Sequence, residues 1–126
     1  MKRPLELVGV GLLLGLLTVF VTWPQARQLS NGVSDFGDPL MNAWTLAWVA
    51  HTLPAHPADL FDANIFHPER HTLAYSETLI VPALLVAPIR WLGGGPILAH
   101  NILLLSAYVL SGLAMFVLVR SLTNHR

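Results

Sequence analysis

Residues 5–23 read LELVGVGLLLGLLTVFVTW, an apolar run with one charge close to its beginning. A helix needs about 20 predominantly apolar residues to cross the hydrocarbon core of a bilayer. The run ends at Trp23 and Pro24. Tryptophan is common at the membrane interface, and proline ends a helix. We therefore predict a first transmembrane helix over residues 5–23. The alternative is a cleaved signal peptide, whose apolar region is shorter, about 7–15 residues, and ends at a small-residue site.

The composition also indicates a membrane protein. The chain has 126 residues, of which 54% are hydrophobic and 11% are charged, whereas soluble domains have about 25% charged residues. We predict an all-α integral membrane protein whose first partner is the lipid bilayer. The formal net charge is zero and no basic tract occurs, so a nucleic-acid partner is not expected. The lack of cysteine excludes disulfides and thiolate metal sites.

Two further apolar stretches predict a second span over residues 73–92 and a third over 96–119. The second stretch contains two prolines, which a span tolerates where neighbouring helices satisfy the freed carbonyl groups. Basic residues at positions 2 and 3 favour a cytoplasmic segment 1–4. The later arginines leave two topologies open. If both stretches cross, Arg120 and Arg126 lie outside; if the second only dips into the membrane, they lie inside. We prefer three crossings.

Residues 24–72 form a predicted extracytoplasmic loop. From position 27 to position 77 the chain has six acidic residues against two arginines, and basic residues are the ones that favour the cytoplasmic side. A helix over about residues 39–53 is predicted inside this loop, ending before Pro54. Three of its residues share one apolar face, which is typical of a helix lying at the membrane interface: Leu40, Trp44 and Trp48.

Asp38 is the leading candidate for a catalytic residue. Asp38-Pro39 is a strong helix start, because aspartate caps free backbone N–H groups and proline suits the first helical position. The helix dipole keeps such a carboxylate ionised, as a general base or a cation ligand requires. Asp35 lies three residues earlier, so the pair is a candidate to share a divalent cation or to divide base and orienting roles. The alternatives are a plain N-cap and a solvated turn acid.

Four other residues are candidates for binding a polar substrate: Asn42, Asn64, Tyr75 and Glu77. Asn42 lies one helical turn after Asp38 on the same polar face. Glu77 falls at the start of the predicted second span, where a charge is costly and by default marks function. The alternative is that these side chains satisfy loop backbone or reach water. The spacing of His67 and His71 does not match a zinc-binding signature, so no metal site of that kind is predicted.

The chain resembles the N-terminal part of bacterial polytopic membrane proteins of the GT-C glycosyltransferase superfamily. The resemblance lies in four stretches: Trp23-Pro24; residues 37–44, GDPLMNAW, followed by LAW at 46–48; residues 60–68, LFDANIFHP; and residues 72–77, TLAYSE. It implies a multi-pass protein of the inner membrane that takes a sugar from a polyprenyl-phosphate donor on the outer face.

The resemblance also implies roles for particular residues. In this superfamily an aspartate in the first extracytoplasmic loop, followed by helices along the membrane, acts as general base on the acceptor or helps to hold a metal. Asp38 is the match and Asp35 the second choice. Proteins of this superfamily are several times longer, so we expect an N-terminal fragment that needs C-terminal spans or a membrane partner for catalysis. A small non-catalytic membrane protein or subunit is the alternative function, and a transporter fragment is a third.

Overall fold

A computed structural model describes residues 2–123, and this part of the chain is helical without strands. The α-helices are α1 (Lys2–Val21), α2 (Asp38–Ala55), α3 (Ile80–Trp91) and α4 (Pro96–Thr123). Short 3₁₀ helices occupy Gln25–Arg27, Pro57–Asp59 and Thr72–Tyr75. The prediction of an all-α chain is confirmed. Met1 and residues 124–126, including Arg126 of the topology argument, lie outside the described residues, as do the side chains of Lys2 and Arg3.

Two helices are long and apolar enough to cross a membrane. They are Pro4–Val21, with 18 residues, and Pro96–Thr123, with 28 residues. At 1.5 Å per residue, these helices extend about 27 Å and about 42 Å, against about 30 Å for a hydrocarbon core. Both agree with predicted spans, the first over residues 5–23 and the third over 96–119.

The predicted span over residues 73–92 contains a shorter helix. α3 has 12 residues, or about 18 Å, which is less than the thickness of a hydrocarbon core. Leu79, just before α3, has a φ of 47°, a left-handed conformation that stops a helix from extending towards Glu77. The structure thus offers two helices of spanning length among residues 2–123, and the third crossing stays a prediction.

The chain divides into two units, the first formed by Met1–Gln28 and Leu104–Arg126. Here α1 and α4 pack against each other as an antiparallel pair. Glu6, near the start of α1, accepts from Arg120, near the end of α4, with 2.6 Å between Oε2 and Nη1. Further along, a Cβ on Gly112 would lie only 2.8 Å from Cδ1 of Leu14. The two helices are therefore in contact at Gly112 and Leu14.

The second unit, Leu29–Leu103, is built on the contact between α2 and α3. Alanine is prominent on the packed faces, and small residues let helices approach closely. Short turns and the first residues of α4 complete the core. The buried residues are Leu46, Val49, Leu60, Ala63, Leu73, Ala83, Val86 and Ala99.

Leu40, Trp44 and Trp48 form the stripe that predicted a helix at the membrane interface, and Leu40 is exposed. In the structure the two tryptophan rings stack with centroids 6.2 Å apart, and both side chains pack against the core of the second unit. Trp48 Nε1 also donates to the carbonyl of Leu60 at 2.9 Å. Packing within the protein accounts for the two tryptophans without a bilayer, so the interfacial position of α2 stays a prediction.

The prediction that the helix ends before Pro54 was wrong by two residues, because α2 continues to Ala55. Proline has no backbone N–H, so in a helix it leaves the carbonyl four residues earlier, here that of Ala50, without its usual donor. Trp91 Nε1, at the end of α3, donates to this carbonyl at 3.1 Å. A side chain 41 residues away therefore replaces the bond that Pro54 removes.

Asn101 fixes the segment that leads to α2. It is fully buried on α4, and its Nδ2 donates to the carbonyls of Leu29 at 2.9 Å and Gly32 at 2.7 Å. The neighbouring His100 is also buried, with Nδ1 3.3 Å from Oδ1 of Asn101. Buried amides are costly unless they are paired, so these bonds hold residues 29–32 in one conformation.

The bond from Trp91 to Ala50 predicts a non-additive pair of substitutions. Trp91→Phe removes the donor and leaves the Ala50 carbonyl unpaired, which should lower the free energy of unfolding by about 1–3 kcal/mol. In a Pro54→Ala background the backbone N–H at position 54 restores a helical donor to that carbonyl. Trp91→Phe should then cost about 1 kcal/mol less, as measured by denaturant titration of the four variants in detergent. Equal costs in both backgrounds would show that the bond does not stabilise the fold.

Candidate functional site

The acid loop, residues 34–38, turns the chain into α2. Oδ1 of Asp35 accepts from the backbone N–H of Gly37 at 2.6 Å, which closes a local turn typical of aspartate. The carbonyl of Gly37 then accepts from the N–H groups of Leu40 at 3.1 Å and Met41 at 3.3 Å. These bonds begin the helix, so Gly37 is its N-cap residue.

The prediction that Asp38 is the N-cap was wrong by one position. Asp38 is the first helical residue, Pro39 is the second, and no side chain caps this end by a hydrogen bond. The physical reason is that Gly37 supplies the first helical carbonyl, while Asp35 satisfies the amide of Gly37. Asp38 still lies in the first turn of α2, where the helix dipole favours a negative charge.

Both carboxylates of the acid loop are exposed to solvent. Among the side chains of residues 4–123, Glu6 pairs with Arg120 and Asp62 with His71, and neither Asp35 nor Asp38 has a basic side chain as partner. The Asp38 carboxylate makes no hydrogen bond to the described residues, and all its lone pairs are available to an incoming group. An unshared carboxylate of this kind is able to accept a proton or to bind a cation.

Asn42 follows Asp38 by one turn of α2 and is half-buried, whereas Thr45, the next residue on this face, is buried. The polar face therefore runs from solvent into the core. Of its members, Asp38 and Asn42 are the ones with access to solvent. Asp35, Asp38 and Asn42 thus all lie at the N-terminal end of α2.

A divalent cation at the acid loop would find two carboxylates. No group of three or more His, Asp or Glu side chains suited to a metal occurs in the described part of the chain. Mg²⁺ and Ca²⁺ take six or more oxygen ligands, and Mg²⁺ keeps several waters. Asp35 and Asp38 would thus supply a small part of the coordination, with water, substrate or other protein groups supplying the rest.

Asn64 and Tyr75 belong to a second local structure, the stapled loop, which we define as residues 61–75. Its base is closed by three hydrogen bonds: Leu73 N to Phe61 O at 3.1 Å, Thr72 Oγ1 to Ala63 O at 3.0 Å and His71 N to Asp62 Oδ1 at 2.7 Å. Nδ1 of His71 is also 3.2 Å from the same Asp62 oxygen. The loop is therefore held at its base by side chains as well as by backbone.

The predicted substrate-binding residues of this region are exposed. Tyr75 stacks on Phe66 with ring centroids 6.2 Å apart, and both rings face solvent over more than half of their surface. Asn64 is exposed in the loop, and Glu77 is exposed in the irregular segment before α3. No hydrogen bond or ion pair in the described chain joins the acid loop to these residues. α2 connects the two regions, because Trp48 bonds to Leu60 just before the stapled loop.

Sequence reasoning missed the residues that position these loops. Asp62 and His71 are nine residues apart in a turn-rich stretch, and their pairing has no short motif. Asn101 had a visible signal, because two adjacent polar residues, His100 and Asn101, interrupt an otherwise apolar helix. A polar group inside such a helix requires a partner, although the sequence does not say which.

The hydrogen bonds of Asp62 at the base of the stapled loop predict a change in local protease sensitivity. Asp62→Ala removes the acceptor of the His71 amide and imidazole, so the loop should open more often and trypsin should cleave after the exposed Arg70 about fivefold faster or more. Asp59→Ala is the matched control, since Asp59 is an exposed acid that makes no side-chain hydrogen bond to the described residues. Mass spectrometry of the Arg70 cleavage product gives both rates. Equal acceleration by the two substitutions would contradict a staple at Asp62.

Comparison with known proteins leaves the chain without an assigned family. No family model, no curated protein and no solved structure matches it.

Proposed function

We propose that this chain is the N-terminal part of a membrane glycosyltransferase of the GT-C type. It would act on the outer face of the bacterial inner membrane, with a polyprenyl-phosphate sugar as donor. The observation that carries the proposal is the unshared Asp38 carboxylate in the first turn of a helix, which follows a candidate first span by one short segment. The GT-C resemblance implies an aspartate at this place in the first extracytoplasmic loop.

The antiparallel pair of α1 and α4 supports a specific topology for this proposal. Glu6 pairs with Arg120, and Leu14 lies against Gly112. The C-terminal end of α1 therefore lies beside the beginning of the part of α4 that contacts it. If both helices cross the bilayer, the intervening segment starts and finishes on one side. The basic residues at positions 2, 3 and 120 then share the cytoplasmic side, as the positive-inside bias favours.

This topology is the second of the two that the arginines left open. The short α3 does not cross in it, and α2 and α3 are both helices of one extracytoplasmic loop. A loop with an aspartate followed by helices is the arrangement that the GT-C resemblance implies. The three-span topology remains the competing version, and it places Arg120 outside.

The chemistry assigned to Asp38 is general base catalysis. Its carboxylate would take the proton of an acceptor hydroxyl while that oxygen forms a bond to the anomeric carbon of the sugar. The bond from this carbon to the lipid phosphate breaks, and its electron pair leaves on the phosphate. Asp35 would orient Asp38 or share a cation with it. Asn42, Asn64, Tyr75 and Glu77 are the candidates for hydrogen bonds to sugar hydroxyls, and further spans or a membrane partner would complete the donor site.

A non-catalytic membrane subunit is the second candidate function. The observation that favours it is the openness of the acid loop, in which Asp35 is used by a turn and Asp38 is fully accessible. Charges in this role would serve the start of the helix and solubility. The two functions differ in what removal of the Asp38 charge does to transfer.

Asp38→Asn should lower sugar transfer by about 10²–10⁴-fold, the usual contribution of a general base, without lowering the amount of protein in the membrane. The assay follows a labelled sugar from a polyprenyl-phosphate donor in membranes that contain the chain and its native partners. Asp59→Asn, which neutralises an exposed acid of the same loop, should leave transfer unchanged. Undiminished transfer by Asp38→Asn would remove Asp38 from the reaction and favour the subunit.

The topology is testable because the chain has no cysteine. Single cysteines at Asp59 and Ser121 report the side of the loop and of the end of α4. A membrane-impermeant maleimide added to cells with a permeabilised outer membrane should label the Asp59→Cys variant and leave Ser121→Cys unlabelled until the inner membrane is disrupted. Labelling of both in unbroken cells would support three crossings instead of two.

A further inference from the structure

A pocket of about 270 Å³ lies between α2 and α3, towards the C-terminal ends of both helices. Two of its side chains, Arg90 and His51, have N–H donors. Neither side chain forms an ion pair with an acidic residue within residues 2–123. Its other walls are apolar or aromatic. The lining residues are Ala47, Ala50, His51, Pro54, Arg90 and Trp91.

Arg90 is the principal polar group of the pocket. It is half-buried, its Nη1 donates to the carbonyl of Gly94, and its Nε is buried without a hydrogen-bond partner among the described residues. A buried donor on a cation costs free energy when it is unpaired. An anion that accepts from this N–H would remove that cost, and guanidinium groups suit phosphate oxygens because they donate in a fixed fork.

The turn after α3 holds the guanidinium group in place. A Cβ on Gly94 would lie 2.7 Å from the carbonyl oxygen of Ile89, so a residue with a side chain does not fit this turn. The turn in this form directs the Gly94 carbonyl to Arg90, and the Gly94 amide donates to Ile89 at 2.8 Å. The guanidinium group is therefore held in one position, with its remaining N–H donors available to a ligand.

An apolar pocket of about 200 Å³ continues from the first one. The two share Ala50, Pro54 and Trp91. The second is otherwise lined by hydrocarbon side chains: Val49, Leu53, Leu84 and Ala87. Together they form one groove with a cation at one end and an apolar wall at the other, which is the complement of an amphiphile with an anionic head.

The position of the groove along the chain favours a lipid as the source of this amphiphile. Pro96, the first residue of the candidate span α4, comes six residues after Arg90. Six residues extend at most about 21 Å, so the groove is tethered close to the first turn of a helix that is long and apolar enough to cross a membrane. We propose that the groove binds an anionic phospholipid, with its phosphate on Arg90 and His51 and the start of one acyl chain on Leu84.

This inference goes beyond glycosyl transfer and does not depend on it. Asp38 and His51 are 13 residues apart on the same helix, which corresponds to about 20 Å. A phosphate on Arg90 is therefore out of reach of the Asp38 carboxylate. The bound lipid would anchor the α2–α3 pair at the membrane and would not be the sugar donor.

The test is a titration of the purified full chain in neutral detergent, with bound lipid counted by native mass spectrometry. Phosphatidylglycerol should bind at least tenfold more tightly than zwitterionic phosphatidylcholine of the same chain length. Arg90→Gln should reduce phosphatidylglycerol affinity by roughly tenfold or more, as expected for charge-assisted hydrogen bonds. Arg70→Gln, which changes an exposed arginine outside the groove, should leave affinity unchanged.

The apolar half of the groove is tested by its own matched pair of substitutions. Leu84 lines the groove, whereas Leu85, the next residue of the same helix, does not; the two side chains are 51% and 70% exposed. Leu84→Gln should weaken phosphatidylglycerol binding and Leu85→Gln should not, and this pair decides the outcome if Arg90→Gln fails to fold by circular dichroism. Equal affinity of the two lipids, or full affinity in Arg90→Gln or Leu84→Gln, would overturn the proposal. Displacement of the lipid by inorganic phosphate at equal concentration would show a site for free anions instead.

Discussion

The hydrogen bond from Trp91 to the Ala50 carbonyl is the contact on which the second unit depends. Pro54 makes that carbonyl available, since proline lacks the amide that would close the helical bond. A buried carbonyl requires a partner, and the indole N–H that satisfies it comes from the last residue of α3. The bond therefore fixes how the ends of α2 and α3 meet. The same three residues form the floor that the cationic and the apolar pockets share.

Helix packing explains why this contact is short enough to form. Ala50 on α2, and Ala83 and Ala87 on α3, are buried almost completely. Small side chains reduce the distance between helix axes, which places a tryptophan of one helix against the backbone of the other. Substitution of a larger residue at one of these alanines would force the helices apart, at a typical cost of 1–3 kcal/mol. The alanine contact and the Trp91 bond thus support each other.

Sequence reasoning succeeded where the signal is local and failed where it is distant. α1 and α4 follow from the length of uninterrupted apolar sequence, and the start of α2 follows from Asp38-Pro39 to within one residue. The end of α2 was missed because Trp91, which bonds to the Ala50 carbonyl in place of the missing Pro54 amide, lies 41 residues from Ala50. The stripe of Trp44 and Trp48 was visible from its period, but the period does not tell whether a bilayer or a protein core covers it.

The candidate site shows the same division. The acid loop and the position of Asp38 in the first turn of α2 were predictable, because aspartate, glycine and proline have strong local preferences. Two other contacts were not predictable, since neither has a sequence pattern of its own. They are the pairing of Asp62 with His71 and the hydrogen bonds of Asn101 to Leu29 and Gly32. The partner of Asn101 is about 70 residues away, a separation at which sequence periodicity carries no information.

Two charged residues of the second unit, Asp38 and Arg90, lie at helix ends where the helix dipole favours their charge. Asp38 lies in the first turn of α2, where the partial charge of the helix is positive, and Arg90 lies in the last turn of α3, where it is negative. An anion brought to Arg90 would therefore meet an unfavourable dipole from α3, and the guanidinium charge must exceed it. The guanidinium charge itself is what favours an anionic head group over a neutral one. It also keeps the two ends of α2 distinct, one suited to accepting a proton or a cation and the other to holding an anion.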